Sequence, residues 1–150
     1  MPDYTYPFEP KTPYLTTDGI IEVYDGDTFL GIALIKRKNP PVGLALPGGF
    51  VDDGERVEDA LVREMKEETD LDVQIVRLLG VYSDPKRDPR FHTASVVYVA
   101  RAEGTPRGGD DAKEAHIYRL NEIAFEKLVF DHAQIVQDYL KSRDVHNRQC

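Results

Sequence analysis

The chain has 150 residues, a length that fits one domain able to bury roughly two thirds of its unfolded surface. With 41% apolar and 31% charged residues and no tryptophan, it has the composition of an ordinary soluble globular protein, and no apolar run reaches membrane-spanning length. A formal charge of −8 argues against binding a nucleic-acid polymer but leaves a small phosphorylated substrate open, because a metal ion and a few arginines reverse an acidic background locally.

In chain order, residues 1–13 carry Pro2, Pro7, Pro10 and Pro13 and read as an extended N-terminal arm. The arm lacks the basic and apolar regions of a signal peptide. The only cysteine is Cys150, so no intrachain disulfide forms, and a terminal position argues against a catalytic thiol. These features point to a cytoplasmic protein. Residues 14–24 and 28–37 read as strands, with Asp25-Gly26-Asp27 as a hairpin signal. Val42–Leu46 reads as a short strand leading into Pro47-Gly48-Gly49, and a helix is predicted over about 56–69. Leu71–Tyr82 and Thr93–Ala102 are β-rich, separated by a loop, Ser83–Phe91, that holds two prolines. Gly104–Lys113 reads as a second loop and His116–Leu120 as the last strand. Ala133, Ile135, Val136 and Leu140 place a second helix over Asp131–Ser142, followed by a polar, frayed tail at 143–150. Strands and helices mix without strict alternation, which predicts the α+β class and a single domain over 1–150.

The first helix carries the chemistry. At about 100° per residue, Glu64, Glu67 and Glu68 share one sector, with Val57, Ala60, Leu61 and Met65 in or beside it. Glu58, Asp59, Lys66 and Thr69 face solvent in this projection. Acid-rich helix faces are usually just solvated, but here the acids lie within the apolar stripe. Like charges crowded on a half-buried face repel and lose solvation, and a bound cation relieves both costs. Oxygen-only ligands point to a hard ion, magnesium or manganese.

Between Gly49 and Leu71 the sequence reads GFVDDGERVEDALVREMKEETDL. Gly49, Glu55, Arg63-Glu64-Met65, Glu67-Glu68 and Leu71 closely resemble the Nudix hydrolase box in identity and spacing. One position departs: Asp70 stands where the family usually has glycine. Asp tolerates the left-handed backbone common at helix ends better than most residues, so strain at the helix end is expected rather than loss of a metal site. The resemblance implies a mixed β-sheet sandwiched between helices. It implies divalent-ion ligands at Glu64, Glu67, Glu68 and the Gly48 carbonyl, and a Glu55–Arg63 pair that holds the loop against the helix. It also implies hydrolysis of a diphosphate by metal-activated water, with Glu68 or Glu67 as base, or a carboxylate from the loop before the last strand. Spacing from that strand favours Asp111, with Glu114 second.

Proline downstream of the box and the segment Phe130-Asp131-His132 resemble the ADP-ribose pyrophosphatase branch, which implies cleavage of ADP-ribose to AMP and ribose 5-phosphate. Alternatives are another nucleoside diphosphate derivative, a damaged nucleoside triphosphate, or a nucleotide-sensing domain that binds without cleaving. Arg87 and Arg90, in a loop stiffened by Pro85 and Pro89, either contact phosphate or pair with Asp84 and Asp88. Arg37 ends a strand directed toward the cleft and is a third substrate candidate. Phe50, Tyr82 and Phe91 are available to stack on a base, although aromatic residues beside strands are more often core. His92, His116 and His132 lack ligand spacing and read as structural or surface residues. Related pyrophosphatases are commonly dimers, and the N-terminal arm is the segment that would cross to a partner in a homodimer.

Overall fold

The computed structural model describes residues 5–149. The start of the N-terminal arm and the lone Cys150 lie outside the described residues. Strands β1 (Tyr14–Asp25) and β2 (Thr28–Arg37) form the expected hairpin, with Asp25 opposite Thr28. Its turn needs a positive φ, supplied by Gly26 at 59°. Strand β6 (Thr93–Glu103) runs parallel to β1 from Tyr14↔Thr93 to Tyr24↔Glu103, and β5 (Gln74–Tyr82) pairs antiparallel with β6 at one edge. At the other side β3 (Leu44–Ala45) and β7 (Ala112–Tyr118) pair with β2, and β4 (Gly48–Phe50) pairs with β1. The result is a mixed seven-stranded sheet.

Alternation along the strands builds two apolar faces. Ile20, Ile32, Leu34, Val97 and Val99 form one core with Ile135, Val136 and Tyr139 of helix α2 (His132–Gln149). Ile21, Val23, Ala33, Tyr98 and Ala100 form the other with Leu61 and Met65 of helix α1 (Val57–Thr69). A helix on each face makes the α+β sandwich expected from the sequence. No helix among the described residues is long and apolar enough to cross a membrane.

The departures have local causes. The strand predicted over Val42–Leu46 shortens to Leu44–Ala45, and Gly48–Phe50 forms the unanticipated β4 because its glycines let the chain pack against β1. Strand β7 begins at Ala112, before His116, because its pairing with β2 continues to Arg37. Helix α2 continues past Ser142 to Gln149, in a segment whose polar residues carry no apolar periodicity. Side-chain ties help hold that turn: Arg77 donates to Ser142 Oγ at 3.0 Å, and Arg143 Nε lies 3.7 Å from Glu22. Thr69, expected on the solvent side, is buried and donates to the Met65 carbonyl at 2.6 Å. Asp70 closes α1 in the left-handed region, φ 60°, and its N–H donates to the Lys66 carbonyl, so the departure from glycine keeps the helix end.

Two α-helical positions separate core from surface. Ile135→Ala empties a fully buried site and should destabilise the fold by about 3 kcal/mol, whereas Val62→Ala, on the exposed side of α1, should cost under about 1 kcal/mol. Urea unfolding of the two variants measures the difference.

Candidate active site

Strand β4 and helix α1 meet through glycine. A Cβ at Gly49 would stand 2.5 Å from the Glu64 carboxyl, and one at Gly48 would run into Asp18 and the Thr17 carbonyl. Gly48 then donates its backbone N–H to Glu68 Oε1 at 2.6 Å. The absence of two side chains thus brings a strand against the acidic face of a helix.

Arg63 organises that face. Its Nε and one terminal nitrogen fork both oxygens of Glu55, at 2.8 and 2.9 Å. Its remaining hydrogen bonds go to Glu64 at 2.9 Å, Glu67 at 3.1 Å and the Phe50 carbonyl at 3.1 Å, and Asp52 lies 3.6 Å from it. The expected Glu55–Arg63 pair is present as a bidentate bridge. The hydrogen bond from Arg63 holds Glu55 well below the usual carboxylate range, at about 2.

Burial has the opposite effect deeper in. Glu68 is buried, and desolvation, reinforced by the charges of Glu64 and Asp18, pushes its carboxyl up to about 8 against the Gly48 hydrogen bond. Desolvation also raises Glu64. Asp18, in the middle of β1, is raised to about 6 by burial despite a short hydrogen bond from Ser95. His132 lies beside it, with Nε2 3.9 Å from Asp18, and its Nδ1 accepts the Leu46 backbone N–H at 2.9 Å. Burial lowers His132 to about 3, so it stays neutral and serves as an acceptor.

These groups line a cleft of about 540 Å³. Glu64, Glu67, Glu68, Gly48 and Asp18 lie in its wall together with Arg37, Arg87, Arg90, Asp110 and Asp111. Arg37 donates Nε to the Pro41 carbonyl at 2.9 Å and pairs with no carboxylate among the described residues. Burial and then Arg90 lower its proton affinity. Arg90 forks Asp88 at 2.9 and 3.0 Å, one of the two arrangements its sequence allows. Arg87, also in the lining, pairs with neither Asp84 nor Asp88. It is buried, forks Asp131 at 2.7 and 2.9 Å and donates to Thr93 at 2.7 Å, so it braces the wall.

Asp111 borders the cleft and accepts from Asn39 Nδ2 at 2.7 Å. Glu114 does not: β7 turns it outward, where it pairs with Lys36 at 3.1 Å and His116 at 3.2 Å. Phe50 stands at the cleft beside Phe91 and Tyr14, ring centroids 5.0–6.0 Å apart. Tyr82 donates its hydroxyl to Asp138 instead. Sequence reasoning missed Asp18, Asp110 and the cleft position of His132.

The donor set fits a hard divalent cation, since it is all oxygen, partly desolvated and mutually repulsive. As the side chains stand, Arg63 occupies one oxygen each of Glu64 and Glu67, and no three potential ligands are gathered closely enough to hold an ion among the described residues. The second oxygens of both glutamates, with Glu68, are the donors that remain.

Fold and cleft together define the diphosphate-hydrolase architecture implied by the box. The NUDIX domain family matches residues 13–139, and the chain belongs to it. Over 132 residues it is 50% identical to the ADP-ribose pyrophosphatase of Methanocaldococcus jannaschii, spanning 86% of this chain and 74% of that protein. A MutT/nudix family protein from Enterococcus faecalis superposes with a TM-score of 0.79 at 31% identity, over 93% of this chain and 66% of that one. The NUDIX domain of Shewanella oneidensis NrtR, solved with ADP ribose, shares the fold with a TM-score of 0.78 at 23% identity, over 91% and 94% of the two chains.

Glu68 should govern the stability of the metal-free protein against pH. Its folded-state value lies above the ordinary 4.5, so the folded state keeps a proton that the unfolded chain releases. That contribution is complete below pH 4.5 and is lost as pH rises through about 8. Urea unfolding in a chelator should show stability falling over this interval, with a shallower fall in Glu68→Gln.

Proposed function

We propose that the protein hydrolyses the diphosphate of ADP-ribose, giving AMP and ribose 5-phosphate, with magnesium as the working ion and manganese as a substitute. The observation that carries this reading is one cleft with the box glutamates in its wall and an uncompensated guanidinium, Arg37, in the same lining. A diphosphate flanked by nucleoside and sugar needs both. The identity to an ADP-ribose pyrophosphatase supports the choice of substrate.

In this reading Glu64, Glu67, Glu68 and the Gly48 carbonyl hold the cation. Bound there, it supplies neutralisation of phosphate charge and a more acidic water. Arg37 and Arg90 bind substrate oxygens, and Arg87 holds the wall behind them. Glu55 and Arg63 keep the glutamates in place. Glu68 or Glu67 takes the proton of the attacking water, with Asp111, in the same lining, as the alternative. Glu114, turned away from the cleft, has no part in this scheme. Burial favours the protonated form of Glu68 in the metal-free protein, and a cation bound beside it would favour the carboxylate that a base or ligand requires.

A homodimer in the cytoplasm belongs to the same reading. Tyr6 and Phe8 of the N-terminal arm are exposed and stack edge-on at 6.5 Å, which suits an arm that packs on a second copy.

Purified protein with ADP-ribose and magnesium should release AMP and ribose 5-phosphate, identified by mass. Glu68→Gln should lower kcat by about 10³-fold or more with an unchanged circular dichroism spectrum. Cleavage of a different nucleotide alone would reject ADP-ribose as substrate, and tight ADP-ribose binding without products at any metal concentration would indicate a sensor.

A further inference from the structure

The segment entering α2 is tied down residue by residue. Val129 donates its backbone N–H to the Leu44 carbonyl at 2.9 Å, Asp131 is forked by Arg87, and His132 accepts from Leu46. Between these anchors Phe130 adopts a left-handed backbone, φ 55°, which bulky residues rarely take and which glycine or asparagine takes more readily. Its ring is only half-buried and faces the cleft. A strained aromatic residue whose ring is left out of the core indicates a demand other than packing.

The surroundings of the ring identify the demand. The Arg37 guanidinium carbon lies 5.1 Å from the ring centroid and that of Arg90 5.4 Å. Two cations held this close repel, and among the described residues only Arg90 of the two has a carboxylate partner, Asp88. The electron-rich face of an aromatic ring offsets such repulsion, which an aliphatic side chain of similar volume does not.

We propose that Phe130 is a positioning residue, whose ring holds the guanidiniums of Arg37 and Arg90 together as a clamp for the diphosphate oxygens of the substrate. The inference rests on the functional reading above, since it requires a diphosphate in this cleft. Guanidiniums fork oxyanions, and a doubly charged group between the two relieves the repulsion that the empty clamp retains. Phe130 itself touches no reacting atom and acts through the arginines.

The test measures ADP binding by calorimetry with magnesium present, so that it does not depend on ADP-ribose being cleaved. Phe130→Leu should weaken ADP binding about tenfold, a loss within the range of cation–π contacts, and Phe130→Tyr should restore it to within about twofold. Phe130→Asn, which accepts the left-handed backbone, should show the loss of the leucine variant with an unchanged melting temperature. The effect should shrink when Arg37 is already alanine, because the ring then has one fewer cation to place. With ADP-ribose as substrate, Phe130→Leu should raise KM while kcat changes less than about threefold. Equal weakening by leucine and tyrosine, independent multiplication of the Phe130 and Arg37 effects, or an equal loss for adenosine would overturn the clamp. Failure of the unaltered protein to release AMP from ADP-ribose would reject that substrate and leave the ADP titration to decide the clamp.

Discussion

The guanidinium of Arg63 is the interaction on which the acidic wall depends. Glu64, Glu67 and Glu68 occupy one side of α1, where desolvation and mutual repulsion work against having them together. Arg63 contributes one charge but five N–H donors in a planar fork, and it distributes them over Glu55, Glu64, Glu67 and the Phe50 carbonyl. The loop after β4 is thereby fastened to the helix at the level of the acids. A lysine has the same charge but no planar fork, so it would pair with one of these acids and leave the others unoriented. Arg63 also takes one oxygen of Glu64 and one of Glu67, which fixes which oxygens stay available to a ligand.

The deep end of the cleft is ordered differently, by close backbone approach instead of charge pairing. Asp18 sits on β1, opposite Gly48 in the antiparallel β1–β4 ladder, and Gly48 caps Glu68 from above. Because β1 also pairs with β2 and β6, this part of the site rests on the middle of the sheet. Burial there keeps His132 neutral, which lets its Nδ1 accept the Leu46 N–H and anchor the start of α2 to the strand-end loop carrying the glycines. Two helices from opposite faces of the sheet are thus brought to one edge of the cleft.

Much of this was legible in the sequence, for identifiable reasons. The hairpin, α1 and the acidic stripe follow from local rules: turn chemistry at Asp25-Gly26-Asp27, helical spacing of the apolar residues, and fixed spacing within the box. What was illegible is non-local. The sequence offers Arg87 a phosphate or the nearby acids Asp84 and Asp88, whereas its carboxylate partner is Asp131, 44 positions along the chain, brought close by the return of α2. Glu114 was placed by distance from a strand, but the strand begins earlier than its apolar residues suggest, and period-two alternation then sends the side chain outward. Strand β4 was hidden because glycine is a poor strand former, and its presence there answers a packing constraint that only the fold creates. The same holds for Phe130, where nothing in the sequence marks a left-handed backbone.

The cleft also reconciles a chain of net charge −8 with an anionic ligand. Arg87, Arg90 and Arg63 are all neutralised by carboxylates, so they shape the walls at little cost in net field. Arg37 is the exception: half-buried, close to another arginine and, among the described residues, without a carboxylate partner. Such a group lowers the stability of the free protein, and so do the raised carboxylates of Glu64 and Glu68. Opposite penalties line one cavity, and a complex of cation and diphosphate would relieve both, the cation at the acids and the anion at the guanidinium. Local destabilisation of this kind is what a site adapted to bind rather than to fold is expected to show.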